Sequence, residues 1–207
     1  VLLYLPTDIP DPNQGAAQHM VELSITRLAQ ATEGRMLVLF TSYAQLKRTS
    51  SALAAALRSK GFSIFEQGEG ASPTSLLETF RASEKAILLG TRSFWEGVDI
   101  QGEQLSCVVI VKLPFDVPSD PIIAARSESF DNPFRQYSLP EAILKFRQGF
   151  GRLIRSSTDR GIVVLLDSRI TNKPYGRDFL SSIPRCTEKR GSIRDLAKEA
   201  ADWLAPK

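Results

Sequence analysis

The sequence is poor in the residues that build metal sites and disulfide frameworks. Its 207 residues include only 2 cysteines and 1 histidine. Cys107 and Cys186 stand far apart without a CxxC spacing, and His19 is the sole imidazole. This inventory excludes a structural zinc site and a [4Fe–4S] cluster, which need about four such ligands. We therefore expect reduced thiols and no metal in a chain long enough to bury roughly 70% of its unfolded surface.

Long hydrophobic runs and leader signals are also missing. The longest apolar runs have the length of a β-strand, well short of the roughly 20 residues that span a bilayer. Val1 opens directly in an apolar stretch without a charged segment, so we predict no signal peptide, a cytoplasmic location and a chain cut from a longer protein. The net charge of +3 is compatible with a polyanionic partner, although many ordinary domains are this basic.

No GxGxxG follows the first strands, which excludes a Rossmann-type dinucleotide enzyme. The sequence does contain short Val/Ile/Leu runs that alternate with helical patterns, which predicts an α/β fold with a parallel sheet covered on both faces. The predicted strands are Val1–Leu5, Met36–Thr41, Phe62–Phe65, Ala86–Gly90, Cys107–Leu113 and Ile162–Asp167. The predicted helices are Ala16–Ala31, Tyr43–Lys60, Pro73–Arg81, Glu141–Arg155 and Ser192–Leu204. Residues 114–140, with five prolines, are predicted as an extended insertion in which Pro121–Phe130 has some helical character.

The most informative segment is QGFGRLIR, which begins at Gln148. At 100° per residue, Gln148, Arg152 and Arg155 fall on one stripe of the predicted helix. The opposite, apolar side is formed by Ile143, Phe146, Phe150 and Ile154. Gly149 and Gly151 each cost a helix about 1 kcal/mol relative to alanine, which suggests that something approaches the backbone closely. Guanidinium groups suit phosphoryl oxygens, but the pattern alone equally allows a solvated helix with incidental arginines.

A second segment, GTRSFWEGVD, directly follows the predicted strand Ala86–Gly90. In a parallel sheet this position lies at the C-terminal edge, where ligands bind. Small hydroxyl residues and Gly97 leave backbone N–H groups open to a phosphate, and Asp99 supplies an acceptor. Phe94 and Trp95 have two interpretations: stacking platforms, or packing anchors, which aromatic side chains in such loops more often are.

A third segment, LFTSY at Leu39–Tyr43, carries a strand into a helix through Thr41 and Ser42. Alone it is a weak signal, because Ser and Thr are also routine helix N-caps. Its position ahead of the second segment gives it weight.

Together these strings resemble the motifs of a helicase lobe. QGFGRLIR resembles motif VI of superfamily 2 helicases, GTRSFWEGVD resembles motif V, and FTSY resembles motif IV. The string KLPFDVPSDP at Lys112–Pro121 narrows the resemblance to DinG-type proteins, relatives of the XPD helicases. The resemblance covers nearly the whole chain and implies that residues 1–207 form a single RecA-like lobe, the second motor lobe of an ATP-dependent DNA helicase.

The resemblance also implies cofactors and partners. ATP with Mg²⁺ would be held mainly by an N-terminal lobe of the same polypeptide, which in many members also carries an iron–sulfur domain. This sequence has neither GxxxxGK[ST] nor a DEAH-type box, so the fragment alone should not hydrolyse ATP. Single-stranded or forked DNA is the expected substrate of a protein that is expected to be monomeric.

Residue roles are implied by position in the motifs. Arg155 would be the arginine finger that reaches the γ-phosphate, Arg152 would assist it or pair with an acidic neighbour, and Gln148 would sense the nucleotide. The residues implied at the same nucleotide cleft are Glu96, Gly97 and Asp99. The residues implied at the DNA backbone are Thr41, Ser42, Tyr43, Thr91 and Ser93.

A second class of function stays open at this point: a non-catalytic RecA-like module for nucleic-acid binding or regulation. The presence of Gln148, Arg152, Arg155 and Asp99 argues against it, because a lobe without a motor function would be free to lose them.

Overall fold

The computed structural model describes residues 1–68, 72–96, 105–153 and 160–206. Within them, seven strands form a sheet in the order β3-β4-β2-β5-β6-β1-β7. Every pairing is parallel, so all strands end at the same edge of the sheet. The strands are β1 (Leu2–Pro6), β2 (Met36–Leu39), β3 (Ser63–Glu66), β4 (Ala86–Gly90), β5 (Cys107–Ile110), β6 (Ile162–Leu165) and β7 (Thr187–Gly191).

Helices cover both faces of the sheet, as the alternating pattern predicts. Side chains of α1, α2 and α9 share one buried cluster, and those of α3, α4, α6 and α8 share the other. The described helices are α1 (Gly15–Thr32), α2 (Tyr43–Leu57), α3 (Pro73–Ala82), α4 (Arg92–Glu96), α5 (Pro121–Ser127), α6 (Leu139–Phe150), α7 (Arg169–Asn172), α8 (Gly176–Ser182) and α9 (Ile193–Leu204). Of these, none is long and apolar enough to cross a membrane.

The central strands form because their sequences are apolar without interruption. β2, β4, β5 and β6 read MLVL, AILLG, CVVI and IVVL, and each of their residues is buried. A strand covered on both faces has no solvated side on which polar residues would alternate. The interior therefore consists of the sheet and the inward faces of the two helix layers.

The structure corrects the predicted helix Glu141–Arg155. The observed helix α6 begins at Leu139 and ends at Phe150, and Gly151–Leu153 form a turn. Two glycines in three residues weaken helix propagation at this point. The prediction of a continuous helix is therefore wrong for Gly151–Leu153, and Ile154 and Arg155 lie outside the described residues. Phe146 and Phe150 are fully buried, as expected.

Five of the described elements were not predicted from the sequence: β7, α4, α7, α8 and a π-helical turn. β7 has the sequence TEKRG and is mostly exposed, because it lies at the edge of the sheet beside β1. The short helices α7 and α8 connect β6 to this strand. In the insertion 114–140, α5 falls inside the range given for helical character, and an unpredicted π-helical turn, Phe134–Ser138, leads into α6.

A buried carboxylate fastens the start of the insertion to the sheet. Asp167, at the end of β6, is fully buried and accepts a hydrogen bond from the Leu113 backbone N–H at 2.8 Å. Its other partner is Arg169, whose Nη2 lies 2.6 Å from Oδ2 and whose Nε lies 2.9 Å from Oδ1. The Arg169 guanidinium in turn lies 5.6 Å from the centre of the Phe115 ring. This carboxylate thus positions both Leu113 and Phe115.

We predict that Asp167→Ala lowers the free energy of unfolding by about 3–5 kcal/mol, because it leaves a guanidinium and a backbone N–H without their acceptor. Urea unfolding followed by circular dichroism measures the change. Asp202→Ala, at an exposed position of α9, is the control and should change stability by less than about 0.5 kcal/mol. Equal effects of the two substitutions would contradict this assignment.

Candidate functional site

The parallel sheet brings two of the three sequence segments to one edge. β2 and β4 are neighbours in register, with Leu39 opposite Gly90. The Phe40 N–H donates to the Gly90 carbonyl at 2.9 Å. Thr41 and Thr91 therefore follow adjacent strands at their carboxyl ends, where ligands of α/β proteins bind.

The three residues of the motif IV segment border two different cavities. Thr41 and Tyr43 line a cavity of about 480 Å³ together with Thr91, and we call this cavity the edge groove. Ser42 lines a neighbouring cavity of about 340 Å³, whose wall includes Arg48 and Lys112. The Ser42 hydroxyl also caps α2 by accepting from the Gln45 N–H at 3.3 Å.

The hydroxyl residues after β4 are held differently from those after β2. The Gln67 side-chain oxygen accepts from both the N–H and the hydroxyl of Thr91, at 2.8 and 2.9 Å. Sequence reasoning missed Gln67, which follows the edge strand β3 and belongs to none of the quoted motifs. The Ser93 hydroxyl oxygen is buried and has no hydrogen-bond partner in the described part of the chain.

Phe94 and Trp95 are packing anchors, and the alternative interpretation as stacking platforms is wrong. Their side chains are 0% and 3% exposed. Phe94 packs on Gly90, where a Cβ would lie 2.5 Å from its ring, and Trp95 packs on Gly149, where a Cβ would lie 2.6 Å from two ring carbons. The group that approaches the backbone of Gly149 is therefore an indole ring from α4.

Trp95 connects all three segments. Its indole N–H donates to the Phe40 carbonyl at 3.0 Å, just before Thr41. Its own carbonyl accepts from the Nη2 and Nε of Arg152, at 2.9 and 3.3 Å. Together with the contact on Gly149, these bonds make one packed unit of the segments after β2, after β4 and at the end of α6.

The predicted nucleotide-cleft residues are only partly described. Arg152 is half-buried in the turn after α6, and this burial lowers the pKa of its guanidinium. Gln148 lies on α6, and its side-chain oxygen is buried without a partner among the described residues. Glu96 is the last residue of α4. Gly97, Asp99 and Arg155 lie outside the described residues.

A family comparison fits this arrangement of segments. The model of the helicase C-terminal domain matches residues 25–186. The chain belongs to the helicase C-terminal domain family. It is 46% identical over 165 residues to the 3'-5' exonuclease DinG of Bacillus subtilis, and the aligned region covers 77% of this chain and 18% of that protein. It is 36% identical over 197 residues to the ATP-dependent DNA helicase YoaA of Escherichia coli, covering 93% and 30%.

Solved structures show the same fold. An XPD chain in its apo form covers 90% of this chain and 39% of its own length, with a TM-score of 0.66 and 22% identity. Domain 2 of the DEAD-box helicase Mss116p, bound to an RNA duplex, covers 99% and 70%, with a TM-score of 0.57 and 15% identity. The predicted RecA-like α/β fold and the resemblance to a DinG-type, XPD-related C-terminal lobe are confirmed. The chain spans less than a third of the length of the DinG and YoaA relatives.

We predict that Gly149→Ala lowers the free energy of unfolding by about 1–3 kcal/mol, because the new methyl group would overlap the Trp95 ring. Thermal and urea unfolding measure the change. Gly15→Ala is the matched control, since a Cβ there meets no atom within 4 Å. If both variants unfold like the unsubstituted chain, the indole does not occupy the space above Gly149.

Proposed function

We propose that this chain is the second motor lobe of an ATP-dependent DNA helicase, providing the arginine finger and part of the surface that grips one DNA strand. The observation that carries the proposal is the unit centred on Trp95, which joins the segment before Thr41 to Arg152. A motor lobe needs such a unit, because events at a nucleotide must change the hold on a strand. The DNA helicase names of relatives such as YoaA support the same proposal.

The nucleotide side of the proposal rests on motif VI. ATP with Mg²⁺ would supply the transferable phosphoryl group and would be held mainly by an N-terminal lobe of the same polypeptide. The side-chain oxygen of Gln148 has no partner among the described residues but is buried, so it would reach such a ligand only after a local rearrangement. Arg155 would stabilise the charge that develops on the phosphoryl oxygens. Arg152 would orient the motif V loop through the Trp95 carbonyl, with the cleft completed by Glu96, Gly97 and Asp99.

The DNA side of the proposal rests on the two cavities at the sheet edge. Ser42 shares its cavity with Lys112 and with Arg48, whose Nε lies 3.9 Å from the Glu22 carboxylate. These two cations would attract a phosphate. Thr41 would donate a hydroxyl hydrogen bond to the same strand from the edge groove, where Tyr43 also lies. Thr91, whose hydroxyl donates to Gln67, would do so only after releasing that bond. Ser93, whose hydroxyl is buried, would act only after a local rearrangement. Cleft closure and opening would then move this surface relative to the other lobe.

We predict that Arg155→Ala in the full-length protein lowers DNA-stimulated ATP turnover by about 10³-fold or more, while ATP binding persists. Turnover is measured by phosphate release, and binding by equilibrium titration with a fluorescent ATP analogue. Arg194→Ala is the control, because this exposed arginine lies on α9, on the face of the sheet opposite α6. Normal turnover by the Arg155 variant would remove the finger and favour a non-catalytic module.

We also predict that Thr41→Ala weakens binding of single-stranded DNA by about 2- to 12-fold, which corresponds to one hydrogen bond of about 0.5–1.5 kcal/mol. The slope of log Kd against log salt concentration should stay unchanged, because the substitution removes no charge. Fluorescence anisotropy at several salt concentrations measures both quantities. Thr79→Ala, at an exposed position of α3, should bind like the unsubstituted protein, and a Thr41 variant that does the same would contradict the contact.

A further inference from the structure

The edge groove differs from the cavity beside Ser42 in the character of its wall. One side is formed by the insertion, where Phe115, Val117 and Ile122 line the groove. Val117 and Ile122 are 60% and 64% exposed, high values for aliphatic side chains. The Phe115 ring is fixed from behind by the Arg169 guanidinium and by the Phe179 ring at 5.7 Å. The groove therefore offers a rigid apolar wall opposite the hydroxyl residues.

The charged side chains of the groove already have partners. Asp116 accepts from the Lys145 ammonium at 2.5 Å. Asp120 accepts from the Ile122 and Ile123 N–H groups, at 2.9 and 3.4 Å, and so caps α5. Arg126 is hydrogen-bonded to the Tyr137 side chain, which raises the pKa of its guanidinium. Among the described lining residues, two cations and two carboxylates balance in charge, so the groove has no net positive charge that would select a phosphate.

We propose that the edge groove holds unpaired nucleobases of the single strand, with an aliphatic and aromatic wall on one side and hydroxyl groups on the other. This inference rests on the proposed function. It adds a contact with the bases to the proposed contacts with the DNA backbone. A neutral, flat heterocycle suits a groove whose lining charges balance. A phosphate suits the cavity of Ser42, whose described wall has the cations Lys112 and Arg48 and no carboxylate. The volume of the edge groove, about 480 Å³, lies within the roughly 300–1,000 Å³ of small-molecule sites.

Three consecutive residues place the proposed base site and the proposed phosphate site next to each other. Ser42 faces the cationic cavity, and its neighbours Thr41 and Tyr43 line the groove. Tyr43 is 43% exposed, and its ring, whose centre lies 5.5 Å from the Lys47 ammonium, keeps solvent-exposed surface on which a base can stack. Bases and phosphates of one strand would thus lie on opposite sides of the N-terminus of α2.

The test compares thymidine oligonucleotides with matched oligonucleotides that carry abasic residues, in binding to the full-length protein. The variant is the double substitution Val117→Ser and Ile122→Ser, at two exposed positions where the loss of an apolar group should change stability by less than about 0.5 kcal/mol each. Leu144→Ser is the matched control, since Leu144 is 48% exposed on α6 and is not among the groove residues. Equilibrium Kd values are measured by fluorescence anisotropy.

We expect the unsubstituted protein and the Leu144 variant to bind abasic DNA about tenfold more weakly than thymidine DNA. The double variant should bind thymidine DNA about tenfold more weakly and lose most of its preference over abasic DNA. A double variant that keeps the full preference would overturn the base site while leaving the proposed function standing. Equal weakening for both oligonucleotides also keeps that preference, and it would overturn the base site in favour of a sugar–phosphate contact in the groove. Absence of DNA binding by the unsubstituted protein would overturn both proposals.

Discussion

The contact of the Trp95 indole with Gly149 is the constraint on which the arrangement of the site depends. α4 has only five residues, which is too short for a helix to be stable by itself. Burial of Phe94 and Trp95 therefore holds α4 in place, and each ring needs a glycine beneath it, at Gly90 and Gly149. Because the indole N–H is also bonded to the Phe40 carbonyl, α4 cannot shift without disturbing the end of β2.

This constraint explains why a costly residue stands in α6. A glycine inside a helix costs about 1 kcal/mol relative to alanine. At position 149 that cost is offset by the burial of a large aromatic side chain, which exceeds it severalfold. The same glycine and Gly151 bring α6 to its end at Phe150, so the Arg152 guanidinium turns back to the Trp95 carbonyl. Helix termination and the link between the segments thus have one cause.

The sequence allowed prediction of those parts of the fold that depend on burial. Uninterrupted apolar runs such as Ile162–Leu165 predict buried strands, because a polar side chain at such a position would lose its hydration. β7 could not be found in this way, because its TEKRG sequence faces solvent and its position follows from backbone pairing with β1. The end of α6 was missed because the periodicity of apolar residues continues past a point where two glycines stop the helix.

The candidate site shows the same difference. The motif strings placed Thr41, Thr91 and Trp95 at one edge, since parallel strands share their carboxyl ends. They gave no sign of Gln67, whose bonds to Thr91 arise from the adjacency of β3 and β4. They also left open the role of Trp95, because sequence fixes the presence of an aromatic ring but burial decides whether a base can reach it.

The insertion links the buried interior to the surface of the edge groove. Asp167 is buried at the end of β6 and holds Leu113 through its backbone and Phe115 through Arg169. The exposed wall residues Val117 and Ile122 follow within ten residues of Leu113. Asp120 accepts from the Ile122 N–H and so stabilises the first turn of α5. The insertion can form a defined wall because the fully buried Asp167 carboxylate and its partner Arg169 fix where it leaves the sheet. The KLPFDVPSDP string therefore contains both Leu113, which is bonded to the buried carboxylate, and Asp120, which caps α5.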